Sequence, residues 1–349
     1  MTKFEIREYS GDFEDVIELT RRVWMSEYRG KTWFPLPDAA FMRDRYGPEL
    51  GGICLVAYEG PQLAGSLCLV PRTMRVDGVD YPVMMSTSFS VEPASRRVAL
   101  PLIAQLRRLS EEKGAAFGVG IALDDPATPS YRFWTKYAES YPQYFRFLFD
   151  GTYLAKVLRP EVVARAGIKS WERVLSRALA PLLRFVPYGS SAAVRFYKPS
   201  DLERCAELVE KSYADVGWAM RWSLDQLSAR LGRSEKTFVY ERDGVVQAFV
   251  NWHVFPLQGR EAIQCAVLEM WSEDEMSHSA RARFISHLCR HLRDVGVDTL
   301  VVPRTATTPT AALLTNLFIP SSDRFRIGVF PTKSSPPLAS PKSWSFDIM

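Results

Sequence analysis

The chain contains the same pattern twice. Residues 194–208 (VRFYKPSDLERCAEL) resemble 6–19 (IREYSGDFEDVIEL), each reading as a strand, a turn with Asp, then a helix. The hairpin 237–255 (TFVYERDGVVQAFVNWHVF) matches the hairpin 53–72. A helix over 281–294 runs to Gly296 as a helix over 100–113 runs to Gly114, an offset of 182 residues. The strand 297–302 then matches 115–121, and a helix over 309–318 follows as one over 129–138 does. One α/β (α+β) unit in tandem is the organisation that accounts for this order. Three segments follow: an N-terminal domain over 1–155, a helical linker over 156–190 and a C-terminal domain over 191–349. At 349 residues the chain has room for about two cores.

Within the first copy, a strand is expected over 4–10. A helix follows from Asp12, with Phe13, Val16, Ile17, Leu19, Val23 and Trp24 at helical spacing. A second, more polar hairpin is expected over 73–82 around Asp77-Gly78, then a strand over 83–91 (VMMSTSFSV) and another over 116–123. Between the copies, 161–167 and 170–184 read as amphipathic helices. Trp171, Val174, Leu175, Leu179, Leu182 and Leu183 form an apolar face that calls for burial. The tail 331–343 is rich in Pro and Ser and reads as extended, with a short strand-like WSFDI after it.

Composition excludes several classes. Lys plus Arg is 44 against 40 Asp plus Glu, a net charge of +4, and no basic run reaches five, so nucleic acid is not an expected partner. No apolar run is long enough to span a membrane, and the N-terminus has no apolar signal core. The five cysteines are scattered and sit mostly in apolar runs, which reads as reduced thiols and a cytoplasmic protein. His287 and His291 are four apart, with His278 upstream, but no further ligand completes a zinc site. No metal is expected.

The segment 91–103 (VEPASRRVALPLI) carries the chemistry. A strand end, two arginines and an apolar helix read either as a solvated helix start with its ion pairs or as a cradle for a diphosphate, through free N–H groups, the positive end of the helix and guanidinium contacts. With the surrounding element order, this segment resembles the phosphate loop of the GNAT N-acetyltransferase superfamily, V-x-P then x-x-R-x-x-G-x-G/A. Val91, Pro93 and Arg96 fit; the glycine positions hold Ala99 and Pro101. The resemblance covers nearly the whole chain as two copies. It implies two domains, each a mixed, mostly antiparallel twisted sheet flanked by helices. It also implies that Phe89, Ser90, Val91, Arg96, Arg97, Val98, Ala99 and Leu100 hold an acyl-CoA thioester, acetyl or longer. At the equivalent loop of the second copy, 273–283 (EDEMSHSARAR), three acidic residues would repel a diphosphate. That copy is expected to be structural, or to close the first copy's substrate site.

The resemblance further implies a general acid on the last helix and a base on the central strand. Trp134 occupies the family's Tyr position, with Tyr131 and Tyr137 one turn to either side. Each tyrosine also reads as a half-buried packing residue. The strand 83–91 has no carboxylate, whereas in the second copy Glu269 falls where a family base would sit. It reads either as that base or as a Glu paired with an Arg. Tyr28, Trp33 and Phe34 are expected to wall the acceptor site, and Asp125 to attract an amine; the alternatives are core packing and a helix cap. The implied function is N-acyl transfer from acyl-CoA to a small-molecule or peptide amine by direct attack. Two alternatives stand beside it. One is a non-catalytic acyl-thioester-binding protein. The other is transfer from an acyl carrier protein docked on Arg96, Arg97, Arg107 and Arg108.

Overall fold

The computed structural model describes residues 4–47, 50–185, 189–232 and 235–346, apart from the side chains of residue 179 and residues 182–185. In chain order the first elements are β1 (Phe4–Glu8), α1 (Glu14–Tyr28), β2 (Phe34–Pro35), α2 (Ala39–Tyr46), β3 (Ile53–Glu59), β4 (Gln62–Val76), β5 (Val79–Val91), α3 (Ala99–Glu112), β6 (Phe117–Leu123) and α4 (Pro129–Ser140). Then come β7 (Arg146–Val157), α5 (Pro160–Ala166), α6 (Ser170–Phe185), β8 (Val194–Phe196), α7 (Leu202–Tyr213), β9 (Trp218–Arg221), α8 (Leu224–Leu231), β10 (Thr237–Arg242), β11 (Val245–Gln258) and β12 (Ala262–Glu273). The last are α9 (His278–Asp294), β13 (Thr299–Pro303), α10 (Thr310–Thr315), β14 (Ile319–Pro331) and β15 (Trp344–Ser345).

The chain divides into two units: Met1–Asp150 with Arg324–Pro341, and Gly151–Asp323 with Lys342–Met349. The helices α5 and α6 thus fall inside the second unit. Residues 324–341, late in the sequence, fall inside the first. β14 places Phe325–Pro331 antiparallel against β6 there.

In unit 1 the strands run β1-β3-β4-β5-β6-β14, antiparallel except for β5 beside β6. One helix stripe of α3 (Leu102, Ile103, Leu106, Leu109) packs on Leu55, Leu67 and Leu69 of the sheet, all buried. Each such side chain contributes about 1.5–3 kcal/mol by leaving water. The two expected hairpins share one long strand, because β4 continues past residue 72 to Val76. The turn Asp77-Gly78 has both residues at positive φ, 48° and 88°, as a two-residue I′ turn requires. Gly65 on β4 lets α3 come close: a Cβ there would lie 2.9 Å from Leu102 Cδ1 and 3.0 Å from Val98 Cγ1.

Unit 2 repeats the plan with β7-β13-β12-β11-β10-β8, in which β12 beside β13 is parallel and the other neighbours are antiparallel; β15 adds a short parallel pairing with β9. The burial expected for the apolar face of α6 is not made at Trp171 and Val174, which are exposed, and Leu175 is half-buried; Leu179, Leu182 and Leu183 lie outside the described side chains. Helix α9 buries Phe284, Ile285, Leu288 and Leu292 on one face of this sheet. Helices α7 and α8 bury Leu208, Val209, Leu227 and Leu231 in a second cluster with Phe249. Both units are mixed, mostly antiparallel sheets flanked by helices, as expected.

Asp201, at the start of α7, receives both Arg195 guanidinium nitrogens (2.7 and 2.9 Å) and the Lys198 N–H (2.8 Å). Burial alone would raise its pKa; the Arg195 and Lys198 hydrogen bonds outweigh it and hold the carboxyl below its ordinary value. A depressed carboxyl stabilises the fold above its unfolded pKa and loses that contribution as pH falls through the folded one. Asp201→Asn is therefore expected to cost about 1–2 kcal/mol at pH 7. The gap to the parent chain should narrow once the pH drops below the ordinary value of 3.8. Thermal midpoints across an acid pH series check this.

Candidate active site

In unit 1 the parallel pairing of β5 and β6 runs from Val83↔Phe117 to Ser86↔Gly120 and stops. On its other edge β5 slips register against β4. Ser66 faces Ser90 and Cys68 faces Thr87, so β5 carries one extra residue between these pairs. That residue lies at Ser88, in the left-handed region at φ 52°. A bulge bends a strand and redirects its backbone. Residues 87–91 of β5 and 121–123 of β6 thus lie beyond the end of the pairing between these two strands. Behind the bulge lies Tyr46, whose buried hydroxyl bonds with Thr87 and Ser88 and whose pKa is pushed up by burial to about 12. Neither the bulge nor Tyr46 is foreshadowed by local residue patterns.

Phe89, on the free edge, rests on Phe133 (5.8 Å between ring centroids) and Trp134 (5.3 Å) of α4. Ser90 donates to Thr20 of α1 at 3.2 Å. The segment after Val91 differs from an open loop. Residues Pro93–Val98 wind into a 3-10 turn that runs directly into α3, and the Ala99 N–H is spent on the Arg96 carbonyl. Ser95 lies off helical geometry (φ −112°, ψ 28°), so the peptides stacked on α3 begin after this kink, near Arg96. No side chain caps this helix, because Val98 holds the N-cap position. Arg97 and Leu100 are exposed and Ala99 is buried. Two ion pairs tie the segment to α1: Glu92 with Arg22 at 2.5 Å and Arg96 with Glu27 at 3.6 Å. Glu27 was not singled out by its sequence context. Burial raises its pKa, against the pull of Arg96, Lys31 and Arg132.

Helix α4 starts beside the end of β6. Thr128 caps it, accepting from the Tyr131 N–H at 3.3 Å, and Asp125 accepts from the Ala127 N–H at 3.0 Å. Asp125 thus serves the turn before a helix. Tyr131 is half-buried, with the Arg326 guanidinium 5.9 Å from its ring. Tyr137 is buried between Phe133, Trp134 and Phe145, and burial raises its pKa. Tyr28 and Phe34 are buried against each other and Trp24; Trp33 is half-buried.

Unit 2 has the same divergence. β12 and β13 pair through Val267↔Val301 and then separate. A small cavity there has about 20 Å³ in which a water-sized sphere can be centred, and Glu269, Tyr213, Trp271, Thr305 and Ser345 are among its lining residues. That is room for about one water molecule. Glu269 is buried and pairs with buried Arg230 at 3.0 Å. The phosphate end of this copy is closed. Ser277 caps α9 through the Ala280 N–H, Glu273 holds Arg281 at 2.6 Å, and Asp274 is taken up by Arg204 and Lys211. His287 and His291 lie on Phe238, with centroids 5.2 and 5.0 Å away, and burial lowers both pKa values. Among the described residues no three metal-ligating side chains come together. No helix among them is long and apolar enough to cross a membrane.

Comparison with known proteins agrees with this geometry. Residues 5–132 match the model of an acetyltransferase (GNAT) domain. A search of curated protein sequences finds no match. Among solved structures, N-myristoyltransferase of Saccharomyces cerevisiae with bound myristoyl-CoA is similar at a TM-score of 0.74 and 14% identity, over 100% of this chain and 87% of the other. A probable N-acyltransferase from Enterococcus faecalis is similar at 0.53 and 11%, over 96% and 74%. A GCN5-related N-acetyltransferase from Anabaena variabilis is similar at 0.52 and 11%, over 94% and 72%. Residues 5–132 thus match a GNAT acetyltransferase domain in the unit where β5 and β6 part, and the chain as a whole shares the two-unit fold of N-myristoyltransferase.

Proposed function

We propose that the chain is an N-acyltransferase that uses acyl-CoA as donor and an amine as acceptor. The observation that carries this is the end of the β5–β6 pairing in unit 1, next to the 93–98 turn that bears Arg96 and Arg97. The diphosphate of the donor would meet the two guanidiniums and the first peptides of the 93–98 turn. The thioester would lie along residues 87–91, where N–H groups redirected by the bulge polarise its carbonyl as negative charge develops. The uncharged amine attacks that carbonyl, the C–N bond forms, the C–S bond breaks, coenzyme A leaves as thiolate and the nitrogen's proton passes to water. Most of the gain comes from alignment of amine and thioester. The β5 edge supplies hydroxyls and no carboxylate, so no side chain of that strand serves as base. Docking of a carrier protein is less favoured, because Arg107 stacks 3.7 Å from the Tyr144 ring and Arg108 pairs with Glu112 at 3.4 Å.

Tyr131 fits the role of proton donor to the thiolate better than Tyr137. It is half-open at the start of α4, whereas Tyr137 is enclosed by aromatic rings. A thiolate leaves readily near neutral pH, since a thiol pKa is about 8.5. Tyr131→Phe is expected to lower turnover by about tenfold with donor affinity retained. Tyr137→Phe should leave turnover within about twofold.

Calorimetric titration with acetyl-CoA and myristoyl-CoA, followed by a thiol-release assay over a panel of amines, tests the function. Saturable binding with amine-dependent thiol release supports it. Binding without release would show a thioester-binding protein, and no binding would refute both readings.

A further inference from the structure

Two cysteines 14 residues apart in the chain meet on neighbouring strands of unit 1. Cys54 of β3 stands directly opposite Cys68 of β4, and the Cys68 thiol donates to Cys54 Sγ at 3.1 Å. Side chains alternate along a strand, and Leu55, Leu67 and Leu69 pack on α3, so both thiols point to the opposite face of the sheet. Both are buried, Cys54 at 4% exposure and Cys68 at 0%.

The strand geometry suits a covalent link. The Cys54 carbonyl accepts the Tyr9 N–H at 2.7 Å, on the side away from β4. Within a strand the N–H and C=O of one residue point to the same side, so Cys54 and Cys68 form a non-hydrogen-bonded pair. Such pairs bring Cα atoms to about 4.5 Å, inside the roughly 4.4–6.8 Å that a disulfide spans. An S–S bond is about 2.0 Å long, so the sulfurs need to close by about 1 Å. The strands are already held in register on either side, Ile53 opposite Leu69 and Leu55 opposite Leu67, so closure orders little further chain. By the same alternation Cys68 turns its main chain toward β5, where it faces Thr87 beside the Ser88 bulge.

The two sulfurs are not equivalent. Burial and the neighbouring Cys54 raise the Cys68 pKa well above the ordinary thiol value. Cys54 is the acceptor of the thiol hydrogen bond and the less fully buried sulfur, so it is the one placed to meet a small oxidant.

We infer that Cys54 and Cys68 form a dithiol that hydrogen peroxide converts to a cross-strand disulfide. Cys54 Sγ attacks one peroxide oxygen and the O–O bond breaks. Hydroxide leaves, takes up the Cys54 thiol proton as water, and Cys54 becomes a sulfenic acid. Cys68 Sγ then attacks Cys54 Sγ, the S–S bond forms, the S–O bond breaks, and the second water leaves with the Cys68 thiol proton. Each sulfur gives up one electron and peroxide takes up both. Peroxide is small enough to reach buried sulfur, which a glutathione-sized disulfide is not. This inference stands apart from the transferase reading.

The test uses the full reduced chain, treated with hydrogen peroxide while folded, quenched in acid, then denatured and alkylated. Of the five thiols, all should react before treatment and three after it, with all five restored by dithiothreitol. Peptide mapping should find Cys54 linked to Cys68, two hydrogens lighter than the separate peptides together. Cys205, Cys265 and Cys289, on α7, β12 and α9, should stay free. Amide exchange over 54–68 should slow severalfold in the linked form, because the bond holds the hairpin against local opening. Cys54→Ser and Cys54→Ala should each keep all their remaining thiols after peroxide. Five alkylatable thiols in the treated parent chain, a bridge between any other pair, or oxygen added at Cys54 with no linkage would overturn the proposal. So would a Cys54 variant that still loses two thiols.

Discussion

Arg230→Met is expected to destabilise the protein by about 3–5 kcal/mol, the usual cost of leaving one charge of a buried pair uncompensated. Arg230 and Glu269 approach within 3.0 Å with side chains 5% and 1% exposed, so water cannot replace the lost partner. Removing both charges is a different matter. Arg230→Met with Glu269→Leu trades a desolvated ion pair for apolar packing and should recover most of the loss. Urea unfolding of the two variants and of Glu269→Gln, monitored separately from turnover, also sorts the roles of Glu269. A carboxylate held by a guanidinium is a weak base, so Glu269→Gln should lower turnover no further than its loss of folded protein explains. A large drop in turnover in a fully folded Glu269→Gln chain would restore the base reading.

That pair also shows what sequence reading could reach. The position of Glu269 followed from the 182-residue offset, and an Arg partner was one of two readings offered for it. Which arginine supplies the charge depends on α8, an eight-residue helix whose short period gave no usable signal. Periodic elements were legible for the same reason that they fold: α3, α4 and α9 carry apolar stripes that only one face can bury. The return of residues 324–341 to unit 1 was not legible. Strand pairing between β14 and β6 joins residues some two hundred positions apart, and nothing local encodes it. A fragment ending at residue 155 therefore lacks the strand that covers β6, and lacks Phe330 from the cluster around Trp134. The bulge at Ser88 is hidden for a similar reason. Its extra residue is defined only against β4, and the run of serines and threonine around it is compatible with an unbroken strand.

The largest functional effect is expected at the arginines before α3. Arg96→Ala with Arg97→Ala should weaken acyl-CoA binding by one to two orders of magnitude, about 1.5–3 kcal/mol for lost charge-assisted hydrogen bonds. Arg97 is exposed, and Arg96 spans a 3.6 Å gap to Glu27 with its own side chain 69% exposed, so both can turn toward a phosphate at little cost. Losing Arg96 also withdraws one of the three cations that hold Glu27 ionised, which should raise the proton affinity of that carboxyl further. Arg281→Ala with Arg283→Ala is the matching change in the second copy. There Arg281 is already bound to Glu273 at 2.6 Å and Ser277 caps the helix, so donor binding should stay within about twofold. Calorimetry on both double variants decides which copy holds the donor. If the second pair matters more than the first, the donor site has been placed in the wrong unit.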